Sequence, residues 1–348
     1  AINISCTADN YQIDSDIHWE RQVSPVNKGA LELDIALSKE KNKNTAFEAN
    51  IKPSDIIYND TPWKLNACHI ESNGNKYAIE KFLLQSDKQW IKIDGEVGDD
   101  EEDILSISLK DISVEDILNL ANFHSVAFGG GATGEITLSR MLDNPQFSSE
   151  LNVKNFSFEQ GYMGDLEVKG MWHEEDKAVY LSGNIYDKEN AKTAVNGLVS
   201  PANDTINLRV DADRARVEFL NSMLDGILSE VDGNATGTIS VVGPLGSPNL
   251  IGEARINGSL KLNVTNTKYN LRNGTVSLTH NNIALKDFPI ADIYDNQGTL
   301  NGDIKHNSLS DFTCALNINA NNMLAYHTEG FSDMPFYGTA FVTGQTTL

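Results

Sequence analysis

The stretch "TINLRVD", residues 205–211, puts Ile206, Leu208 and Val210 on one side of an extended chain and Asn207, Arg209 and Asp211 on the other. Strict alternation belongs to a β-strand with one apolar face and one wet face, the habit of antiparallel sheets. The same beat recurs at Ile136 and Leu138, Leu151 and Val153, Leu166 and Val168, and Val179 and Leu181. It returns at Leu260, Leu262 and Val264, and at Val276 and Leu278. Asx-Gly pairs stand between or beside such runs: Asn73-Gly74, Asp94-Gly95, Asn257-Gly258 and Asn273-Gly274. They read as hairpin turns, because both residues of a tight hairpin turn tolerate positive φ. The pattern predicts an all-β chain built as an antiparallel meander.

The chain also repeats itself. "ATGEI" at 132–136 returns as "ATGTI" at 235–239, Val114-Glu115 returns as Val217-Glu218, and Pro145 as Pro248. A partial third copy starts at "YGTAFVTG", where Gly338 and Gly344 repeat the spacing of Gly237 and Gly243. Two segments in equivalent places break the strand rhythm. "SVEDILNLANF", residues 113–123, places Val114, Ile117, Leu118 and Ala121 on one helical face, with Ser113 as N-cap. "VEFLNSMLDGILSEV", residues 217–231, does the same with Val217, Leu220, Leu224, Ile227, Leu228 and Val231. The predicted organisation is a strand segment over 1–112, then two repeats over 113–215 and 216–348, each led by a short helix. Repetition on this scale extends a surface rather than building one active site.

Composition narrows the function. At 40 % hydrophobic and 22 % charged residues the chain can bury a core and is no disordered tail. A net charge of −22 argues against nucleic acid, whose phosphates demand a basic surface, and against docking on anionic headgroups. Cys6, Cys68 and Cys314 form no disulfide framework and no zinc pair. The Asn-x-Ser/Thr triplets at Asn203, Asn234, Asn263 and Asn273 read as turn residues. No stretch is apolar enough for a spanning helix. Both termini read as strand interrupted in mid-run, so a longer protein is expected, with any membrane anchor outside this chain.

Enzymatic signatures are missing. The histidines are scattered without an HExxH pair, and "FGGGATGE" (Phe128 to Glu135) lacks the Gly-Lys-Ser/Thr of a phosphate loop. No GxSxG elbow is present. The acidic run Asp99 to Asp103 is simplest as a solvated turn, lacking the spacing of a calcium loop. What remains is a packing problem: roughly twenty apolar-faced strands and only two short helices to cover them. Such a sheet pairs with another, or curves around a groove that repetition lengthens.

Residues 252–306, "GEARINGSLKLNVTNTKYNLRNGTVSLTHNNIALKDFPIADIYDNQGTLNGDIKH", resemble the C-terminal region of TamB-type translocation and assembly proteins of Gram-negative bacteria. The order matches: a Gly-rich strand, a "TKY" strand, "NGTVSL", an aspartate near a strand end (Asp292 or Asp295), then "LNGDIKH". Residues 315–344 carry the resemblance on, while the first 130 residues share only the strand pattern. The resemblance implies a long, strongly curved antiparallel sheet, a β-taco or β-groove with an apolar concave face. It implies a periplasmic protein anchored in the inner membrane and reaching toward a TamA- or BamA-type barrel of the outer membrane. The wider AsmA-like family carries phospholipid between membranes and has no catalytic residues or cofactors.

On this reading the groove lining consists of the alternating apolar residues named above, Ile136 through Leu278, and contacts phospholipid acyl chains. Val217, Leu220, Leu224, Ile227 and Leu228 form a groove-associated helix. Two alternatives stand beside it. One is a scaffold for outer-membrane protein assembly that uses sheet edges for β-augmentation. The other is a surface adhesin or carbohydrate-binding module, which would need aromatic side chains clustered on the wet face; the four tryptophans, at 19, 63, 90 and 172, give no such platform in the sequence.

Overall fold

The alternation becomes strand almost everywhere it is predicted. In the computed structural model, the structure describes residues 1–39, 45–120, 127–187, 192–307, 310–328 and 337–347. Strands β1 (Ile2–Asp9), β2 (Gln12–Arg21) and β3 (Asn27–Lys39) run as a meander. The next four are β4 (Thr45–Ile51), β5 (Ser54–Tyr58), β6 (Thr61–Leu65) and β7 (Cys68–Asn73), followed by β8 (Lys76–Ser86). Here the meander is interrupted. β4 pairs with β7, and the β5–β6 hairpin fills the space between the other ends of β3 and β8.

Strand then follows strand. β9 (Gln89–Val97) and β10 (Ile104–Ser113) lead into helix α1 (Val114–Leu120). After it come β11 (Phe128–Ser139), β12 (Gln146–Phe158), β13 (Gly161–His173), β14 (Ala178–Tyr186), β15 (Lys192–Ser200) and β16 (Thr205–Arg216). A short helix α2 (Leu220–Met223) precedes β17 (Leu228–Gly243), β18 (Asn249–Leu262) and β19 (Thr267–Thr279). The last are β20 (Asn282–Asp292), β21 (Gln297–Asn307), β22 (Ser310–Thr328) and β23 (Gly338–Thr347). All belong to one antiparallel sheet of 23 strands. Backbone contacts divide the chain into two compact units. The first holds residues 1–116, 131–153 and 169–175, and the second holds 117–130, 154–168 and 176–348. No helix among the described residues is long and apolar enough to cross a membrane.

The two expected helices fare differently. The first forms as α1, with the Ser113 hydroxyl accepting the Asp116 N–H at 3.4 Å, and Ala121 lies outside the described residues. The second shrinks from 217–231 to the four residues of α2. Leu228 opens β17 instead, because its backbone pairs with Leu262 across the sheet. Between them Gly226 turns the chain at φ +82° and Ile227 is left 49 % exposed. α2 is fastened through Asn221, whose side chain donates to the Val231 carbonyl at 3.0 Å and accepts the Val231 N–H at 2.8 Å. Phe219 stacks edge-on against Phe158, with ring centroids 5.3 Å apart.

Of the four Asx-Gly pairs, only Asn73-Gly74 makes a hairpin turn; Asp94-Gly95, Asn257-Gly258 and Asn273-Gly274 lie inside β9, β18 and β19. Their glycines leave room for close neighbours: a Cβ on Gly95 would collide with the Ile104 carbonyl, one on Gly258 with the Asp232 carbonyl and one on Gly274 with the Phe288 ring. These positions belong to a device that the simple alternation conceals. In β8, β10, β12, β16, β20 and β22 the third residue of a four-residue stretch has positive φ: Lys81, Asp111, Asn155, Arg214, Asp287 and Asn322. The stretches read "IEKF", "LKDI", "VKNF", "ADRA", "LKDF" and "ANNM". In five of these strands the pairing register shifts there, as in a β-bulge. The bulge keeps the first and fourth residues, both apolar, on one face although they are three apart.

Each bulge N–H is then capped by a side chain of the next strand. Thr133 accepts from Asp111 at 3.0 Å, Thr236 from Arg214 at 3.0 Å and Thr343 from Asn322 at 2.8 Å. Asp165, Asn301 and Asp94 serve Asn155, Asp287 and Lys81 in the same way. The threonines are those of "ATGEI", "ATGTI" and "FVTG". In the first two copies the bulge cap is followed by a glycine whose side-chain position the neighbouring strand would fill, as Glu150 does at Gly134 and Glu253 at Gly237; at Gly344 in the third that space is open.

Candidate functional site

Residues paired across an antiparallel ladder share a face, so the register shows which side chains line up. In the first unit one row runs Ala8, Ile13, Ile35, Ala49, Ile70, Ile79, Gly95, Leu105, Leu138 across β1 to β4 and β7 to β11. A second row pairs Ile136 with Ile107 and Ile107 with Ile93. Leu151 continues the face beside Gly134, whose missing Cβ would press on the Leu151 backbone, and Val153 is buried two residues further on.

The second unit has its own row: Gly183, Val195, Val210, Ile239, Gly252, Leu278, Ile283, Ile304, Cys314, across β14 to β22. Val168 extends it onto β13, since its Cβ faces the side-chain position of Gly183; Leu166 is half-buried on the same strand. Parallel rows join Val179 to Val199 and Ile206, and Leu181 through Gly197 to Leu208 and Val241. A third joins Ala254, Val276 and Leu285. Leu260 pairs with Tyr269, and Leu262 with both Leu228 and Thr267. On the reverse face the row Asp211, Thr238, Glu253, Ser277, Ala284, Asp303 is mostly polar. The expected lining residues thus fall on the same side of their strands as these rows, except Val264. β18 ends at Leu262, and Val264 sits in the following turn, 64 % exposed.

The helix residues are not gathered as expected. Only Leu220 lies in α2; Val217 is buried beside β17 and Leu224 is half-buried at the helix end. What alternation missed are the residues past each bulge. Phe288 and Met323 are 3 % and 2 % exposed and join Ala254, Val276, Ile290 and Ala320 in the buried cluster of the second unit. The readable signal was an apolar pair three apart with Asp, Asn or a long cation at the third position, since Asp and Asn tolerate positive φ best.

This cluster has a closed end. β22 continues past its bulge, and strands that are not neighbours in the sheet meet: the Tyr269 hydroxyl donates to the Leu324 carbonyl at 2.8 Å, and the Asn266 amide to the His327 carbonyl at 2.6 Å. At the junction sits Asp292, fully buried. Its carboxylate accepts the backbone N–H groups of Tyr294, Asn296 and Leu324 at 2.9, 2.9 and 2.7 Å, and the Asn296 amide at 2.9 Å. Burial pushes the carboxyl pKa up, but the bonds from Asn296, Leu324 and Tyr294 outweigh it and hold it below the usual range.

The first unit has an open feature instead, a cavity of about 950 Å³ between β2, β3, β5, β6 and β8. Trp19 and Trp63 line it, and the register joins them in one row, Trp19, Gly29, Ile56, Trp63. No protein family, curated protein or solved structure matches the chain.

Proposed function

We propose that the apolar rows are the working surface of a lipid-carrying β-groove, which shields phospholipid acyl chains and supports their passage between inner and outer membranes. The observation that carries this reading is the register. It lines up apolar side chains, strand after strand, in rows within each unit, and in the second unit the row on the reverse face is mostly polar. Two short helices are far too little to cover such a face. Bulges bend and twist the strands that carry them, and bulges recurring along the sheet, in β8, β10, β12, β16, β20 and β22, favour a sheet that curves about its apolar side. The resemblance of residues 252–344 to TamB-type proteins supports the same reading. It adds a periplasmic location, an inner-membrane anchor elsewhere in the protein and an outer-membrane barrel as partner. The protein acts by sheltering hydrocarbon and carries out no catalysis.

Native mass spectrometry of the purified chain tests this directly, with phospholipid expected to co-purify. Leu208→Arg places an ion in the apolar row, and moving hydrocarbon past it costs several kcal/mol, roughly, of desolvation. A long side chain on a half-buried site can turn its charge to water, so folding survives. Leu208→Arg therefore loses bound lipid, while Asn207→Arg on the reverse face keeps it. Equal lipid in both variants and wild type would overturn the groove and favour the scaffold reading.

A further inference from the structure

On the reverse face, away from the apolar rows, the last three strands differ from the rest of the second unit. Two cross-strand rows run over β21, β22 and β23: Thr299, Asn319, Gln345 and Asn301, Asn317, Thr347. Within each strand the two members are separated by one residue, so all six side chains stand on one face. Asp303, the next residue of β21 on that face, belongs to the mostly polar row described above. The lattice repeats at about 4.8 Å across the strands and about 7 Å along them. Every member is an amide or a hydroxyl, and none is charged. Elsewhere on this face charges are frequent: Arg209 and Asp211 on β16, Glu253 and Arg255 on β18.

These six residues line a cleft of about 430 Å³, a size found among ligand sites. The rest of the lining is Asp287, at the bulge of β20, and Ile318, which packs with Leu300 against the buried cluster. That packed layer holds the lattice in place from beneath. Only part of the lattice's bonding capacity is used within the protein. The Asn301 side chain accepts the Asp287 N–H at 2.7 Å, and that of Asn317 accepts the Thr347 hydroxyl at 2.8 Å. Among the described residues the side chains of Thr299, Asn319 and Gln345 have no protein partner. A wet sheet face needs only polarity, and charged residues supply it on β16 and β18. Six neutral side chains gathered in a cleft are more than solvation requires.

We infer that the reverse face of β21 to β23 binds a neutral glycan chain through this amide and hydroxyl lattice. The cleft lies on the opposite side of the sheet from the apolar rows, so the inference does not rest on the groove reading. A side-chain amide presents donors and an acceptor side by side, which suits the neighbouring hydroxyls of a sugar. No aromatic residue lines the cleft, so this is not the stacking platform of an adhesin-like module. Each hydrogen bond to sugar replaces one to water and adds little, so a single sugar binds weakly. Affinity then grows with chain length as more of the lattice is engaged. Charge sets a second preference: Asp287 and a net charge of −22 turn away sulfated and uronate-containing chains.

Binding of the whole chain to an array of immobilised neutral, sulfated and uronate-containing glycans decides it. Neutral hexasaccharides are expected to be retained about tenfold more strongly than the matching monosaccharides, and the anionic glycans less than either. Asn319→Asp combined with Gln345→Glu keeps the shape of both side chains but removes their donors and adds negative charge. It should lower binding of the retained hexasaccharide at least about tenfold. Asn270→Asp, an exposed change on β19 outside the cleft, should leave that binding intact. Circular dichroism establishes that each variant is folded, and Gln345→Ala on the edge strand supplies a second route to the same loss if the double variant is not. Retention of no neutral glycan, a preference for the anionic ones, or unchanged binding in the lattice variants overturns the glycan site. Each of those results leaves the phospholipid content of the chain, and with it the groove reading, untouched.

Discussion

Asp103 in the first unit and Asp292 in the second are both almost fully buried, at 1 % and 0 % exposure, and both stay ionised by different means. Asp103 ends the acidic run after β9 and is held by the Lys76 ammonium and by the Asp100 N–H at 3.1 Å. Lys76 is half exposed, and the contact joins neighbouring turns of the sheet. Among the described residues Asp292 has no cationic partner; neutral N–H donors surround it, and one of them, Leu324, comes from a strand that is not its neighbour. The first carboxylate fastens a turn. The second fastens the closed end of the buried cluster. The acidic run is thus a solvated turn with one buried member, which reading by charge alone could not single out.

Asp292→Ala should give the largest effect. It leaves the buried Leu324 N–H without an acceptor and frees the end of β22, at a loss of about 3 kcal/mol. Urea denaturation measures the loss, and hydrogen exchange should place it at Leu324 and its neighbours in β22. Asp103→Ala should cost less, because Lys76 can return to water. Equal losses would break the comparison.

A smaller effect separates the two carboxylates by pH and salt. The Lys76 ammonium holds the Asp103 carboxyl below the usual carboxylate range, and hydrogen bonds do so for Asp292 against the pull of burial. Folded values below the unfolded value mean that each contributes stability above about pH 4, lost as pH falls through the lowered folded value. At neutral pH, raising salt should weaken the Asp103–Lys76 contact and leave Asp292 nearly untouched. Chemical-shift titration of both carboxyls at low and high salt checks this; a salt-dependent Asp292 would mean that an ion pair holds it.

Much of the fold was legible because alternation reports a half-buried strand directly, and Ile206, Leu208 and Val210 stand where their period puts them. Reading failed where two periods overlap. The segment 217–231 carries apolar residues at helical spacing, but Leu228 and Val231 owe that spacing to the strand that begins at Leu228, and the register of β17 shifts between Ser229 and Asp232. Likewise Asp94-Gly95 has the composition of a turn and the location of a bulge cap, and only the neighbouring strand's backbone distinguishes the two. The β4–β7 pairing was unreadable because nothing local tells a strand to skip a hairpin. The cavity escaped because Trp19 and Trp63 are far apart in sequence and meet only through β3 and β5.

The smallest expected effect tests the repeated motif itself. Thr236→Val keeps shape and branching but removes the oxygen that accepts the Arg214 N–H; Thr133→Val does the same to Asp111 in the first unit. Each should cost about 1 kcal/mol, the net worth of one hydrogen bond, since water can reach part of the site. Serine at either position keeps the hydroxyl and should restore most of the loss. Thr343→Val should matter least, because Asn322 is exposed and β23, which carries Thr343, has no buried residue among those described. If the caps only satisfy a donor, the effect ends with stability. If they also fix the bulge angle that bends the sheet, Thr236→Val should also lower the amount of bound lipid while Thr236→Ser does not. Lipid content unchanged in a measurably destabilised Thr236→Val would confine the motif to stability and separate the repeat from the groove.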